Sequence, residues 1–219
     1  MTAIQMEQSF GQRLKNSNIV QAWLVLTLAL LFGAALAGIQ ISLAPTIEAN
    51  KINETRQKVP ELIFGKTRAL EMAAQNKNLH VTPQFIAVEK QGKKVFYNVF
   101  KADMDGKCVG WVVKTNGQGY ADKIELLIGL APDAETITGL FILDQKETPG
   151  LGNKIVTEKW RSQFIGKPTG TRLTVTKTGA VTDTEINAVT GATISSRSAI
   201  NIINTAVGDL KGPLTAKAK

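Results

Sequence analysis

The segment Val189–Arg197 places small residues and hydroxyl side chains immediately before an amphipathic helical pattern. Gly191 and Ala192 add little bulk, and the hydroxyl residues Thr193 and Ser195 are good helix caps. A helix N-terminus offers free backbone N–H groups and the positive end of the helix dipole, which makes it a natural phosphate site. From the residues alone, a plain helix cap and a phosphate site both stay open. A Walker loop is excluded because no Gly-Lys-Ser/Thr follows.

The chain contains one cysteine, Cys108, and one histidine, His80. These counts exclude an intrachain disulfide, a CxxCH haem site, a cysteine-held iron–sulfur cluster and a four-cysteine zinc site. They also leave few routes to another transition-metal centre or to a Ser/His/Asp triad. We therefore predict no catalytic residue and no metal site, and any redox chemistry must come from a bound organic cofactor. We interpret Cys108 as a buried strand residue and His80 as a loop residue.

The elements that must position the Val189–Arg197 segment follow from hydrophobic periodicity. The last element is a predicted helix from about Ser195 to Leu210, whose apolar residues recur at spacings of three and four. Strands are predicted over Phe85–Val88, Val95–Phe100, Cys108–Thr115, Ile124–Leu130 and Ile137–Leu143. A helix over Ile155–Phe164 and a strand over Arg172–Lys177 follow. This order predicts an α+β domain with a mainly antiparallel sheet.

A long uncharged run precedes this domain. No charged residue occurs between Lys15 and Glu48, and Ile19–Leu43 is predominantly apolar. A helix over that run rises about 37 Å, enough to cross a hydrocarbon core of about 30 Å with some tilt. The run exceeds the roughly 7–15 apolar residues of a signal peptide, so it predicts an uncleaved transmembrane helix. Arg13 and Lys15 predict a cytoplasmic N-terminus, with the soluble domain on the far side of the membrane, in a periplasm-like space if the cell has one.

These patterns predict five consecutive segments in the chain. They are a cytoplasmic segment 1–18, the transmembrane helix 19–43, a helical membrane-proximal segment 46–82, the main soluble domain 83–212 and a basic tail 213–219. Pro60 is expected to separate two helices in the membrane-proximal segment. The formal net charge is +8, and the basic residues are scattered rather than interleaved with aromatics. We therefore predict a membrane association and no nucleic-acid partner.

Three motifs occur in order along the chain: Gly117-Gln118-Gly119-Tyr120, Glu147-Thr148-Pro149-Gly150-Leu151-Gly152 and Thr190-Gly191-Ala192-Thr193. This set resembles the motifs of the FMN-binding domain found in the RnfG protein of Rnf electron-transport complexes and in the NqrC protein of sodium-translocating NADH:quinone reductase. Thr190-Gly191-Ala192-Thr193 resembles the family's Ser/Thr-Gly-Ala-Thr flavinylation motif. Glu147-Thr148-Pro149-Gly150-Leu151-Gly152 resembles its loop beside the flavin, and Gly117-Gln118-Gly119-Tyr120 resembles its Gly-x-Gly-Tyr strand–turn. With the N-terminal span, the resemblance covers nearly the whole chain.

The resemblance implies that Thr193 carries FMN through a phosphoester, transferred from FAD by a flavin transferase. It also implies cofactor-binding roles for Thr190, Gly191, Ala192, Glu147, Thr148, Gly150, Leu151 and Gly152. Arg197 could pair with the phosphate or lie on a solvated face of the helix, and both interpretations stay open. Lys154 could favour a reduced anionic flavin. One departure from the family pattern is Asn187, where many members carry Asp.

The function implied by the resemblance is that of an electron-carrying subunit in an Rnf-type complex. Such a complex couples electron transfer between ferredoxin and NAD to ion translocation, and the subunit acts only together with the rest of the complex. The location that the resemblance implies is the bacterial inner membrane, with the soluble domain in the periplasm. The alternative is the NqrC protein of the quinone reductase, which is usually longer than this chain. A hypothesis of a different class is a cofactor-free, membrane-tethered binding or assembly module whose motif is only a helix cap.

Overall fold

The computed structural model describes residues 17–75, 79–90 and 92–218. The chain divides into two compact units, Met1–Lys51 and Ile52–Lys219. Each unit has its own internal contacts.

The described part of the first unit is helical and belongs to helix α1 (Asn18–Phe64). An 18-residue window of this helix has a mean hydropathy of 2.3, and none of it is buried inside the protein. By length and composition the helix can cross a membrane, and the predicted span 19–43 lies within it. Arg13 and Lys15 lie outside the described residues, so the orientation stays a prediction.

The second unit contains the end of α1, helix α2 (Lys66–Ala74) and a five-stranded antiparallel sheet. The strands pair in chain order and are β1 (His80–Lys90), β2 (Lys93–Met104), β3 (Lys107–Gln118), β4 (Lys123–Leu130) and β5 (Ile137–Gln145). Every predicted strand of this sheet lies inside an observed one. His80 begins β1, so its prediction as a loop residue is wrong. Cys108 lies in β3 as predicted, but it is half-buried.

Shorter elements connect this sheet to the last helix. They are a 3₁₀ turn at Gly152–Val156, helix α3 (Glu158–Arg161), a 3₁₀ turn at Ser162–Phe164, β6 (Thr174–Thr176), β7 (Glu185–Asn187) and helix α4 (Thr193–Ala218). The single helix predicted over Ile155–Phe164 is therefore replaced by three short elements, which are two 3₁₀ turns and the four-residue helix α3. β6 and β7 pair in parallel as a separate two-stranded sheet. The sequence did not predict β7, because three residues carry too little periodicity.

Helix α4 packs on one face of the large sheet and supplies much of the main core. Its buried apolar residues are Ala199, Ile200, Ile202, Ile203, Ala206, Val207, Leu210 and Leu214. The helix continues through Pro213 to Ala218, so most of the predicted basic tail is helical. The full burial of Leu214 explains this extension, since it holds the last turns against the core.

The end of α1 packs in a second core with apolar residues of the large sheet. This core contains Val59, Leu62, Ile63, Phe100, Ala102, Val112 and Leu127. A Cβ at Gly129 would lie 2.6 Å from the Leu62 carbonyl oxygen, so glycine allows this close packing. The predicted break at Pro60 is wrong, because α1 continues to Phe64 and ends before Gly65, which has a φ of 79°. Apolar burial on both sides of Pro60 offsets the roughly 3 kcal/mol that proline costs inside a helix.

Candidate functional site

A tight turn over Val189–Ala192 leads directly into helix α4. The Ala192 N–H donates to the Val189 carbonyl at 2.9 Å, and Gly191 has a φ of 78°, a conformation that favours glycine. The buried Ser196 hydroxyl accepts from the Val189 N–H and donates to the Ala192 carbonyl, both at 3.0 Å. These bonds hold the turn, while the N–H groups of the first helical turn have no acceptor inside the helix.

The buried carboxylate of Glu147 joins three segments of the chain. Its Oε2 accepts a hydrogen bond of 2.6 Å from the hydroxyl of Ser195, in the first turn of α4. Its Oε1 accepts from the backbone N–H groups of Tyr120 at 2.8 Å and Ala121 at 3.2 Å, between β3 and β4. Because Glu147 is only 4% exposed, these three donors compensate for the water that its carboxylate loses on burial.

Two motif glycines allow this close arrangement. A Cβ at Gly152 would lie 2.7 Å from the Ser195 Oγ and 2.9 Å from the Glu147 Oε2. A Cβ at Gly119 would collide with the Glu147 Oε1 and would approach the Asp122 carbonyl oxygen to 2.5 Å. Both motifs therefore require glycine where their backbones approach Glu147.

A cavity of about 670 Å³ lies where these segments meet. It is lined by Tyr120, Thr148, Leu151, Gly152, Lys177 and residues 188–195. Its volume falls within the range of roughly 300–1,000 Å³ that is typical of cofactor and ligand sites. The lining side chains of Tyr120, Leu151 and Ile194 are 61%, 46% and 54% exposed. They offer apolar surface that a planar ring system could cover.

Seven of the predicted cofactor-binding residues line this cavity. They are Thr193, Thr190, Gly191, Ala192, Thr148, Leu151 and Gly152. Two do not line it: Glu147 is buried in the network described above, and Gly150 is exposed, with a φ of 76°. A Cβ at Gly191 would lie 3.1 Å from the Leu151 Cδ2, so the motif and the loop are close neighbours. The cofactor roles of these residues stay a prediction.

Lys177 is the only charged residue among those that line the cavity in the described part of the chain. It follows β6, whose register pairs Thr176 with Asn187. The Ala188 N–H donates to the Thr176 carbonyl at 2.8 Å, so Lys177 and Ala188 leave the small sheet side by side. Sequence reasoning missed Lys177 because β7 was not predicted.

The two cations that we expected near the flavin, Lys154 and Arg197, are exposed and do not line the cavity. Lys154 lies in the 3₁₀ turn after the loop, and Arg197 lies one turn into α4. Lys154 and Arg197 are therefore close to the motifs in sequence but do not line the cavity.

The loop between β6 and β7 is closed by Glu185 and Asn187. The Glu185 carboxylate accepts from the N–H groups of Val181 at 2.8 Å and Thr182 at 3.2 Å, and these bonds hold the pKa of that carboxyl below its ordinary value. The Asn187 Oδ1 accepts from the Ala180 N–H at 2.8 Å. A carboxylate could accept the same bond, so asparagine retains this loop contact without the negative charge that aspartate would add.

These residues fit a flavin nucleotide. Thr193 supplies a hydroxyl, and the N–H groups of the first turn of α4 suit phosphate oxygens. Apolar surface at Tyr120, Leu151 and Ile194 suits a ring system. Fold and cavity thus fit one class: an α+β domain whose cavity suits a nucleotide cofactor, in a chain with an apolar N-terminal helix.

Comparison with known proteins identifies the family. Residues 119–208 match the FMN-binding domain. The chain is 31% identical over 180 residues to the G subunit of the Na(+)-translocating ferredoxin:NAD(+) oxidoreductase complex of Acetobacterium woodii, covering 80% of this chain and 84% of that protein. It is 36% identical over 120 residues to the G subunit of the ion-translocating oxidoreductase complex of Methanosarcina acetivorans, covering 55% of this chain and 61% of that protein. The chain belongs to the RnfG/NqrC family, as its motifs predicted.

Two solved structures share the fold. The crystal structure of NqrC from Shewanella oneidensis has a TM-score of 0.60 and 20% identity, and the match covers 77% of this chain and 99% of that one. The C subunit of the Na(+)-translocating NADH-quinone reductase from Parabacteroides distasonis has a TM-score of 0.57 and 23% identity, covering 79% and 96%. These likenesses confirm the predicted α+β class with a mainly antiparallel sheet.

The matches also support FMN as the cofactor and a redox-related role within an oxidoreductase complex of several subunits. Together with the apolar helix α1, they support membrane association. The alignment spans less than two thirds of the Methanosarcina protein's own length.

Proposed function

We propose that this chain is an electron-carrying flavoprotein subunit of a membrane-bound, ion-translocating oxidoreductase of the Rnf type, with FMN attached covalently to Thr193. The observation that carries the proposal is the position of Thr193. It lies in the first turn of α4 and lines the cavity together with the rest of the flavinylation-type motif. When bound, FMN supplies the electron-accepting and electron-donating chemistry.

The chain's own residues bind and orient the cofactor. The Thr193 hydroxyl is the attachment atom, and the N–H groups of the first turn of α4 receive the phosphate oxygens. Tyr120 and Leu151 offer apolar surface from two other segments, so the ring would be held from more than one side. The Glu147 carboxylate fixes those segments relative to α4 through the bonds to Ser195 and to the β3–β4 turn.

A covalent bond to the chain suits a carrier of electrons. It removes the dissociation equilibrium, so a cofactor in an open cavity is not lost between cycles of reduction and oxidation. A flavin transferase would be needed to form the phosphoester from FAD, and the other subunits of the complex would donate and accept the electrons.

The identities of the matches favour one complex over the other. The G subunits of Acetobacterium woodii and Methanosarcina acetivorans are 31% and 36% identical to this chain. The C subunits of the Na(+)-translocating NADH-quinone reductases of Vibrio anguillarum and Pasteurella multocida are 28% and 29% identical. This difference favours an Rnf-type complex acting between ferredoxin and NAD over the quinone reductase.

The deciding experiment compares Thr193→Ala, Thr193→Ser and Thr205→Ala with the wild-type chain, each expressed with its flavin transferase. Thr205 is an exposed threonine of the same helix and serves as the control. On a denaturing gel under ultraviolet light, we expect a fluorescent band for wild type and Thr205→Ala and none for Thr193→Ala. Thr193→Ser should retain some fluorescence, because it keeps a hydroxyl. Undiminished fluorescence in Thr193→Ala contradicts the attachment site, and a wild-type chain without flavin favours the cofactor-free module.

A further inference from the structure

We propose that Lys177 is the side chain that pairs with the phosphate of FMN in this cavity. The inference rests on the proposed function, since it concerns the cofactor of that same site. It assigns an electrostatic role to a residue outside all three motifs of the sequence.

The parallel sheet positions Lys177 beside the segment that leads to Thr193. β6 ends at Thr176, and β7 ends at Asn187 in register with it. When two parallel strands end in register, the residues that follow them lie at the same edge of the sheet. The Ala188 N–H also donates to the Thr176 carbonyl, which extends the pairing of β6 and β7 by one residue. Ala188 and Lys177 both line the cavity, and the Val189–Ala192 turn follows Ala188 directly.

The Lys177 ammonium is also available to form an ion pair with a bound anion. Within residues 17–75, 79–90 and 92–218, no carboxylate lies within ion-pair distance of its Nζ, and its side chain is exposed. The Glu185 carboxylate, on the paired strand β7, is occupied by the N–H groups of Val181 and Thr182. A compact ammonium on a long flexible stem pairs readily with phosphate as a point charge.

The phosphate is the part of the cofactor that this position favours. A phosphoester between Thr193 and FMN keeps one negative charge and lies, by its bond to Thr193, at the first turn of α4. The N–H groups of that turn contribute only partial charges. Lys177 would therefore supply the full positive charge that neutralises the anion. The exposed lysine Lys154, outside the cavity lining, offers a matched control.

The test uses the full chain in detergent with Thr193→Ala, so that flavins bind without a covalent bond. FMN and riboflavin, which share the ring but differ by the phosphate, are titrated by flavin fluorescence. Lys177→Gln should weaken FMN binding about two- to fivefold, the range for an exposed ion pair, and leave riboflavin binding unchanged. The difference should shrink as salt is added. Lys154→Gln should change neither affinity.

Unchanged FMN affinity in Lys177→Gln overturns the inference, and an equal loss for riboflavin overturns it in favour of a contact with the ring. A second measurement uses the covalently loaded chain without Thr193→Ala. Its ³¹P resonance should shift in Lys177→Gln and not in Lys154→Gln, and an unshifted resonance overturns the inference even where free flavins bind too weakly to titrate. Failure of the proposed function is seen separately, as absence of covalent FMN from the wild-type chain.

Discussion

The Ser195 hydroxyl donates a 2.6 Å hydrogen bond to the Glu147 Oε2, across 48 residues of sequence, and both residues are buried. This bond connects the first turn of α4 to the loop after β5. Because the same carboxylate also accepts from the turn between β3 and β4, one buried charge determines how three cavity-lining segments meet.

Removing the Ser195 hydroxyl should destabilise the fold, since it takes one donor from a buried carboxylate. We expect Ser195→Ala to lower the free energy of unfolding by about 1.5–3 kcal/mol, the range for a hydrogen bond to a charged group. Ser198→Ala, at a half-buried position in the same helix, is the control and should cost well under about 1 kcal/mol. Urea denaturation of the full chain in detergent measures both. Equal stability of the two variants would show that the Ser195–Glu147 bond contributes nothing.

Gly152→Ala should destabilise through a specific collision. The added methyl group would lie 2.7 Å from the Ser195 Oγ, and overpacking of this kind costs about 1–3 kcal/mol. The double variant Gly152→Ala with Ser195→Ala should recover part of this cost, because it removes the Ser195 Oγ but leaves the two Glu147 atoms at 2.9 Å.

The matched double-mutant cycle uses Gly150→Ala with Ser195→Ala. A Cβ at Gly150 meets nothing within 4 Å, so its cost comes from its positive φ alone and should add to that of Ser195→Ala without coupling. Additive free energies of unfolding in both cycles would disprove the proposed contact.

Acid should destabilise the loop between β6 and β7 through Glu185. The folded state lowers the pKa of this carboxyl, mainly because the Val181 N–H donates to it. The contribution is therefore present above the ordinary pKa of 4.5 and is lost as the pH falls through the lowered value. Between about pH 6 and about pH 3, the thermal midpoint of wild type should fall more steeply than that of Glu185→Gln. Parallel pH profiles for the two proteins would refute this linkage.

The predicted topology places the N-terminus in the cytoplasm and the chain after about Thr46 outside it. The reason is the positive charge of Arg13 and Lys15 before the apolar run. Alkaline phosphatase, active only outside the cytoplasm, should be active when fused after Lys219. A fusion of a cytoplasm-only reporter at the same position is the reciprocal control, and activity from that fusion alone would reverse the topology.

β1 and β2 were predictable because half-buried antiparallel strands alternate in polarity, and β4 was predictable because its buried residues form a continuous apolar run. α4 was predictable because its apolar residues recur at helical spacing and small and hydroxyl residues precede it. Pro60 was misread as a break since local propensity does not reveal that Val59 and Leu62 are buried against the sheet. Tertiary packing decides such cases, and a single sequence does not display it.

The candidate site was predictable only where a motif is continuous in sequence. Thr193 and Leu151 could be singled out in this way, and both line the cavity. The position of Lys177 depends on the parallel pairing of two three-residue strands, which leave no periodic signal. Glu147 also differs from expectation. It is buried and does not line the cavity, and its carboxylate instead accepts hydrogen bonds from two other segments of the chain.

The large sheet pairs its strands in chain order, whereas the cavity needs α4, which comes last among the elements. During synthesis, all five strands are made before the turn at Gly191, so any group transferred to Thr193 must arrive after translation has passed that residue. Because α4 also supplies much of the core beneath the sheet, the attachment residue and a large part of that core are completed together, at the end of synthesis. The proposed attachment is thus one of the last events in the assembly of this domain.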